Sequence, residues 1–185
     1  DEKREVERLI RELIEENRDI VRRVEKLVRE SNKKLDEILE EIRERLERLR
    51  EKLKDIKRRV KSKDALKLLE DVLKEARETV TRVEELLRKL LEESRKLVEE
   101  AKKRNKDSLR KVEELVRDAE TKLKDNEEVL RRIRELLERV EKHVRDSLRR
   151  IDELLKRSEE RVRRIIREVR ERLKRLEEEV REAKR

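Results

Sequence analysis

The first third of the chain is organised by a stripe of mostly apolar positions: Val6, Ile10, Leu13, Asn17 and Ile20, then Val24, Val28, Ser31, Leu35 and Ile38, then Ile42, Leu46, Leu49, Leu53 and Ile56, ending at Val60. The spacing is 4-3-4-3-4, so the pattern returns every 18 residues. Eighteen residues in five turns is the period of an undistorted α-helix, about 3.6 residues per turn. A heptad repeat, at about 3.5, would impose a left-handed supercoil. The stripe therefore predicts a long helix that runs nearly straight.

Carried past Val60, the same register would place Asp64, Lys67, Asp71 and Lys74 in a core, so the first helix must end there. A turn is expected at Lys61-Ser62-Lys63-Asp64, where Ser62 and Asp64 are good N-cap residue types. A second stripe runs from Leu69 through Leu87 and Asn105 to Leu123, with a turn near Lys122-Leu123-Lys124-Asp125, and Asp125 with Glu128 reads as a capping-box analogue. The third stripe runs from Leu130 through Leu148 and Ser158 to Val180. Three helices are predicted, over about residues 2–61, 65–122 and 126–184. The polar stretches Ser31-Asn32-Lys33-Lys34 and Lys103-Arg104-Asn105-Lys106-Asp107-Ser108 are read as helix, because the register passes through both without a phase shift. Short turns make consecutive helices antiparallel. The expected fold is all-α: a single-chain, antiparallel up-down-up three-helix bundle, one elongated domain over residues 1–185.

Composition sharpens this picture. The 185 residues include no Gly, Pro, Cys, Met, Phe, Tyr or Trp, and 60% are charged. Natural chains average roughly 7% Gly and 5% Pro. The alphabet is almost confined to strong helix formers, with Val and Ile at apolar positions. Without cysteine, disulfides and thiolate metal sites are excluded. No apolar run approaches the roughly 18 residues that span a bilayer, so no membrane role is expected, and no compartment is indicated.

The net charge of +9 divides as +3 over residues 1–62, +1 at Lys63, +1 over 64–124 and +4 over 125–185. Basic and acidic residues alternate, as in Glu40-Glu41-Ile42-Arg43-Glu44-Arg45, the pattern of a solvated helix face. Adjacent carboxylates weaken attraction to phosphate, so no nucleic-acid partner is expected. Flanking apolar residues on the first helix, Leu9, Ile14, Val21, Leu27 and Leu39, are few. A larger assembly would need a wider apolar face, which favours a monomer with no required partner.

Candidate chemistry is sparse. His143 is the sole histidine, and the residue three before it is Val140, so the Glu-x-x-His motif of di-iron bundles is absent. Ser147 lies one turn from His143, yet a nucleophile with its base also needs an orienting group and an oxyanion hole, which an unbroken helix does not offer. No enzyme, metal or cofactor is expected.

What stands out is where polar residues interrupt or flank the stripes. Asn17, Ser31, Ser94, Asn105 and Ser158 occupy stripe positions, and Ser108, His143 and Ser147 flank them. In an up-down-up bundle, residues at one level should have numbers adding to about 126 for the first and second helices and about 249 for the second and third. Asn17, Asn105 and His143 then fall within about one turn, with Ser108 and Ser147 beside them. Ser31 meets Ser94, and Ser158 lies about a turn further on. Because an unpaired buried polar group costs about 1–3 kcal/mol, these groups are expected to meet partners in two buried polar layers. The whole chain thus resembles parametrically designed helical bundles that carry buried hydrogen-bond networks. That resemblance implies a hyperstable structural scaffold with no natural activity, whose polar layers specify helix register. The alternatives are a coiled-coil interaction or assembly module and, further off, a basic bundle that binds membrane surfaces.

Overall fold

A computed structural model describes residues 2–59 and 63–184; the turn expected at residues 61–64, with its Ser62 cap, lies largely outside them. Three helices fill the described chain: α1 (Glu2–Arg59, 58 residues), α2 (Lys63–Lys122, 60 residues) and α3 (Glu127–Lys184, 58 residues). Both polar stretches that resemble loops are helical throughout. The all-α, three-helix expectation is met, and α2 begins two residues before its predicted start.

The turn between α2 and α3 shows how the chain reverses without glycine. Leu123 N–H donates to the Ala119 carbonyl (2.9 Å), Asn126 N–H to the Leu123 carbonyl (3.0 Å), and Leu130 N–H to the Asn126 carbonyl (3.1 Å). No described residue has positive φ, so the reversal needs no left-handed residue of the kind that favours glycine. The cap of α3 is Asn126, whose Oδ1 accepts the Val129 N–H at 3.3 Å. This corrects the Asp125–Glu128 reading: the cap falls one residue later, and the residues before it are spent on the turn.

The chain divides into two compact units, residues 1–29 with 93–157 (unit 1) and residues 30–92 with 158–185 (unit 2). In unit 1, Glu7–Arg132 (3.5 Å) and Glu25–Arg150 (3.5 Å) pair α1 and α3 at one constant offset, so these helices are parallel there. Numbers fall on α2 as they rise on α3 in Glu120–Arg134 (3.2 Å) and Lys102–Asp152, so those helices are antiparallel. Unit 2 repeats this order, with Arg43–Glu168 (2.7 Å) and Arg50–Glu179 (3.3 Å) for the parallel pair and Glu84–Arg170 (2.5 Å) and Arg77–Glu177 (3.5 Å) for the antiparallel one.

The apolar stripes form the cores. Unit 2 holds one cluster from all three helices, including Leu35, Ile42, Leu53, Leu69, Leu87, Val169 and Val180. Unit 1 holds two: Val6, Ile10 and Leu13 with Val112, Val116, Ile133, Val140 and Val144, and separately Ile20 and Val24 with Val98, Ile151 and Leu154. On α3 the buried line runs through Ser147, Leu154 and Ile165, each one residue before Leu148, Leu155 and Ile166, which are half-buried. That small rotation carries Ser147 from the predicted flank into the core.

Candidate functional site

The break between unit 1's two apolar clusters is where its polar residues lie. On α1 the clusters stop at Ile14 and resume at Ile20, with Asn17 between; on α2 they stop at Leu109 and resume at Ala101, with Asn105 and Ser108 between. On α3 the first cluster reaches Leu148 and the second begins at Ile151, so Ser147 borders the break, and His143 stands beside Val144 of the first cluster. Asn17 is 0% exposed, Asn105 1% and Ser147 8%, while Ser108 and His143 are half-buried. The helices hold these residues there by periodicity alone. Each asparagine takes a stripe position that is otherwise apolar, so its side chain is carried inward with its neighbours.

Burial without a partner makes this level chemically unusual. Neither Nδ2 nor Oδ1 of Asn17 has a hydrogen-bond partner, nor have Nδ2 of Asn105 and Nε2 of His143, and all four atoms are shielded from solvent. Taking such a group out of water uncompensated costs about 1–3 kcal/mol. An asparagine amide offers two donors and two acceptor lone pairs, and imidazole nitrogen donates or accepts according to tautomer. These side chains can therefore both donate to and accept from a small polar group.

The second predicted layer is less enclosed. Ser158 is buried in unit 2, Ser31 is half-buried in the same unit, and Ser94 is half-buried in unit 1. Sequence reasoning missed Thr79, which is buried in unit 2 with its Oγ1 donating to the Glu75 carbonyl at 2.8 Å. It sits seven residues after Val72, itself buried beside the stripe, and that spacing was the available signal. Asn32, whose buried Oδ1 has no partner, was also missed, because the side chain flanks the stripe of α1. So was the surface of α2, where Leu66, Leu68, Leu86, Leu97 and Leu115 are exposed. The flank count above considered only the first helix.

Around the cores, charges pair between helices. Arg43 binds Glu168 through Nε and Nη2, and the bond raises the guanidinium's pKa. Arg170 donates to Glu84 from Nε (2.5 Å) and Nη2 (3.1 Å), which holds the Glu84 carboxyl below its ordinary range. Lys102, bonded to Asp152, is raised above the usual lysine range. The α2–α3 partners' numbers add to 254 in Lys102–Asp152 and Glu120–Arg134, a few more than the level estimate of 249, because long side chains reach along the helix axes to meet. Among the described residues no cluster of three or more His, Cys, Asp or Glu could hold a metal ion, and no helix is long and apolar enough to cross a membrane.

No protein-family model and no curated protein matches the sequence. A solved structure described as a computationally designed three helix bundle is similar at 22% identity, over 99% of this chain and 83% of that one, with a TM-score of 0.37.

Proposed function

We propose that the chain is a designed structural scaffold, built on a parametric 18-residue repeat, with no catalytic activity and no cofactor, in which polar residues select one register from several that an apolar core would accept. The observation that carries this reading is a reversal of charge. Three α2–α3 ion pairs recur at 18-residue intervals: Glu84–Arg170, Lys102–Asp152 and Glu120–Arg134. The apolar stripes repeat with the same period, so sliding α3 by one repeat along α2 would match core residues again. The charges would not match. Lys102 would face Arg134 or Arg170, and Asp152 would face Glu84 or Glu120, so every matched level would be like-charged. Exposed ion pairs are each worth about 0–1 kcal/mol. Discrimination therefore comes from the change of sign at every level rather than from the strength of one pair. The Asn17–Asn105 level acts in the same direction, since a slipped register would set buried amides against aliphatic side chains.

The test measures register directly. Spin labels on α2 and α3 should give one narrow distance in the native chain. A variant with Asn17, Asn105 and His143 all replaced by leucine, and with Lys102→Asp and Asp152→Lys exchanged, keeps the native ion pairs but loses both penalties. It should be as stable as the parent or more so, and should show a second distance. One unchanged narrow distance in that variant would sink the register reading. The scaffold reading also implies thermal unfolding above about 90 °C, the range of hyperstable domains, and a 22.9 kDa monomer in solution.

A second reading, an assembly module, is favoured by the exposed leucines of α2. Leu86 borders a surface groove in unit 2 that Ile38, Ile42, Thr79 and Val83 also line. A mass above 22.9 kDa that returns to this value in Leu86→Glu would support it.

A further inference from the structure

We propose that the polar level of unit 1 is an internal hydration site, in which ordered water completes the bonding of Asn17, Asn105 and His143. Three side chains there are nine-tenths or more buried, Asn17, Asn105 and Ser147; the two asparagines occupy the gap between the unit's two apolar clusters, and Ser147 borders it. Four shielded atoms at this level have no protein partner: Asn17 Nδ2 and Oδ1, Asn105 Nδ2 and His143 Nε2.

The chemistry of these atoms selects water over other ligands. Two of them donate, Asn17 Nδ2 and Asn105 Nδ2. One accepts, Asn17 Oδ1, and His143 Nε2 accepts when its ring proton is on Nδ1. With that tautomer two donor atoms stand with two acceptor atoms, which suits a molecule with two hydrogens and two lone pairs. An anion would leave the acceptors unserved, and a cation would leave the donors. The amide oxygen and nitrogen of Asn17 diverge from one carbon, so one water cannot serve both well, and at least two waters are needed at this level. Asn17 stands where the stripe of α1 otherwise carries Leu13 and Ile20, both larger side chains. Buried waters typically make about three hydrogen bonds to groups that would otherwise be unsatisfied. The alternative, leaving the atoms bare, forfeits about 1–3 kcal/mol at each.

This deepens the register reading without depending on its outcome. Hydration is read in the native chain, and register in the aliphatic variant. The experiment is water-selective NOE and ROE spectroscopy on the full ¹⁵N-labelled chain. The side-chain amide protons of Asn17 and Asn105 should show cross-peaks at the water frequency, of opposite sign in the two spectra, as long-lived bound water gives. The peaks should persist in the Ser108→Ala and Ser147→Ala double variant, which removes relay through exchanging hydroxyls. In Asn17→Leu, the Asn105 water peak should be lost, because the larger side chain takes the space. Direct Asn17–Asn105 amide cross-peaks with none to water would overturn the proposal, leaving a dry layer closed by side chains. Water peaks that vanish in the double serine variant would overturn it as well.

Discussion

Units 1 and 2 use the same helices and the same 18-residue repeat, yet their interiors differ in kind. Unit 2 is sealed by one apolar cluster, with Leu53 and Leu87 at 0% exposure. Among its described residues the buried polar ones are Ser158, at an end of its α3 segment, and Thr79, whose hydroxyl bonds to its own helix, with single shielded polar atoms also on the half-buried Asn32, Arg172 and Glu179. Unit 1 interrupts its apolar packing with Asn17, Asn105 and Ser147. An aliphatic core is stable but indifferent to sliding by one repeat, because each repeat resembles the next. A polar level sacrifices some burial and gains an address along the helix axis. On the proposed reading the two interiors would divide two tasks, unit 2's core supplying stability and unit 1's polar level supplying position.

The largest expected effect breaks the stable side of this contrast. Leu53→Ala removes a fully buried side chain from unit 2 and leaves a space that its neighbours close only in part, at a cost of about 2–5 kcal/mol. Urea unfolding should show the loss, and hydrogen exchange should place it in unit 2 amides. A cost below about 1 kcal/mol would mean that the cluster is loosely packed and that unit 2 is not the stable partner.

Asn105→Leu tests the other side. By apolar area alone it should stabilise unit 1, since leucine is the larger and more apolar residue. The expectation here is the reverse, a loss of about 1–3 kcal/mol, because the larger leucine would take the space of the proposed water and leave the wholly buried Asn17 amide without it. Denaturant midpoints of the single variant and of the Asn17→Leu, Asn105→Leu pair should diverge, with the pair recovering most of the loss. Equal, additive effects would show that the two asparagines do not share a level.

Much of this was legible in the residues. The three helices and most of the core follow from an unbroken period, and so does the continuity of α1 and α2 through their polar stretches. What the period cannot give is rotation of a helix by a fraction of a turn. Ser147 and Leu154 are buried where Leu148 and Leu155 had equal claim, because both lines satisfy the same spacing and only packing against two neighbours decides. The candidate level was legible as a coincidence of Asn17 and Asn105 in an antiparallel register, but its bonding was not, since hydrogen-bond partners depend on side-chain rotamers. The outer leucines of α2 were readable and overlooked.

A smaller effect concerns how unit 1's α2 and α3 are joined. Asn126→Ala removes the acceptor for the Val129 N–H and should cost about 1 kcal/mol, measured by denaturant unfolding, whereas Asp125→Ala should cost much less. Similar losses at the two positions would restore the earlier cap assignment.

The smallest expected effect compares the ion pairs of the two units by pH. In unit 2, the hydrogen bond from Arg170 is the main reason that the Glu84 carboxyl is held below the ordinary glutamate value of about 4.3. A depressed carboxylate contributes stability that is present above its unfolded value and is lost as pH falls through the lowered, folded one. In unit 1, the bond to Asp152 raises Lys102 above the ordinary lysine value of about 10.4. Its contribution is present below the unfolded value and is lost as pH rises through the raised one. Acid should therefore loosen Glu84–Arg170 only once pH falls below the ordinary glutamate range, and alkali should loosen Lys102–Asp152 only above the ordinary lysine range. Both effects are small, because Arg170 and Asp152 are more than half exposed and screened by solvent. Carbon-13 titration of the Glu84 carboxyl should show a midpoint below that of unpaired glutamates, returning toward the ordinary value in Arg170→Gln. A lysine titration in Asp152→Asn should show the Lys102 midpoint falling. If Glu84 titrated with the exposed glutamates in the parent chain, the pair would be a contact too loose to bias the charge pattern, and register would rest on unit 1's polar level alone.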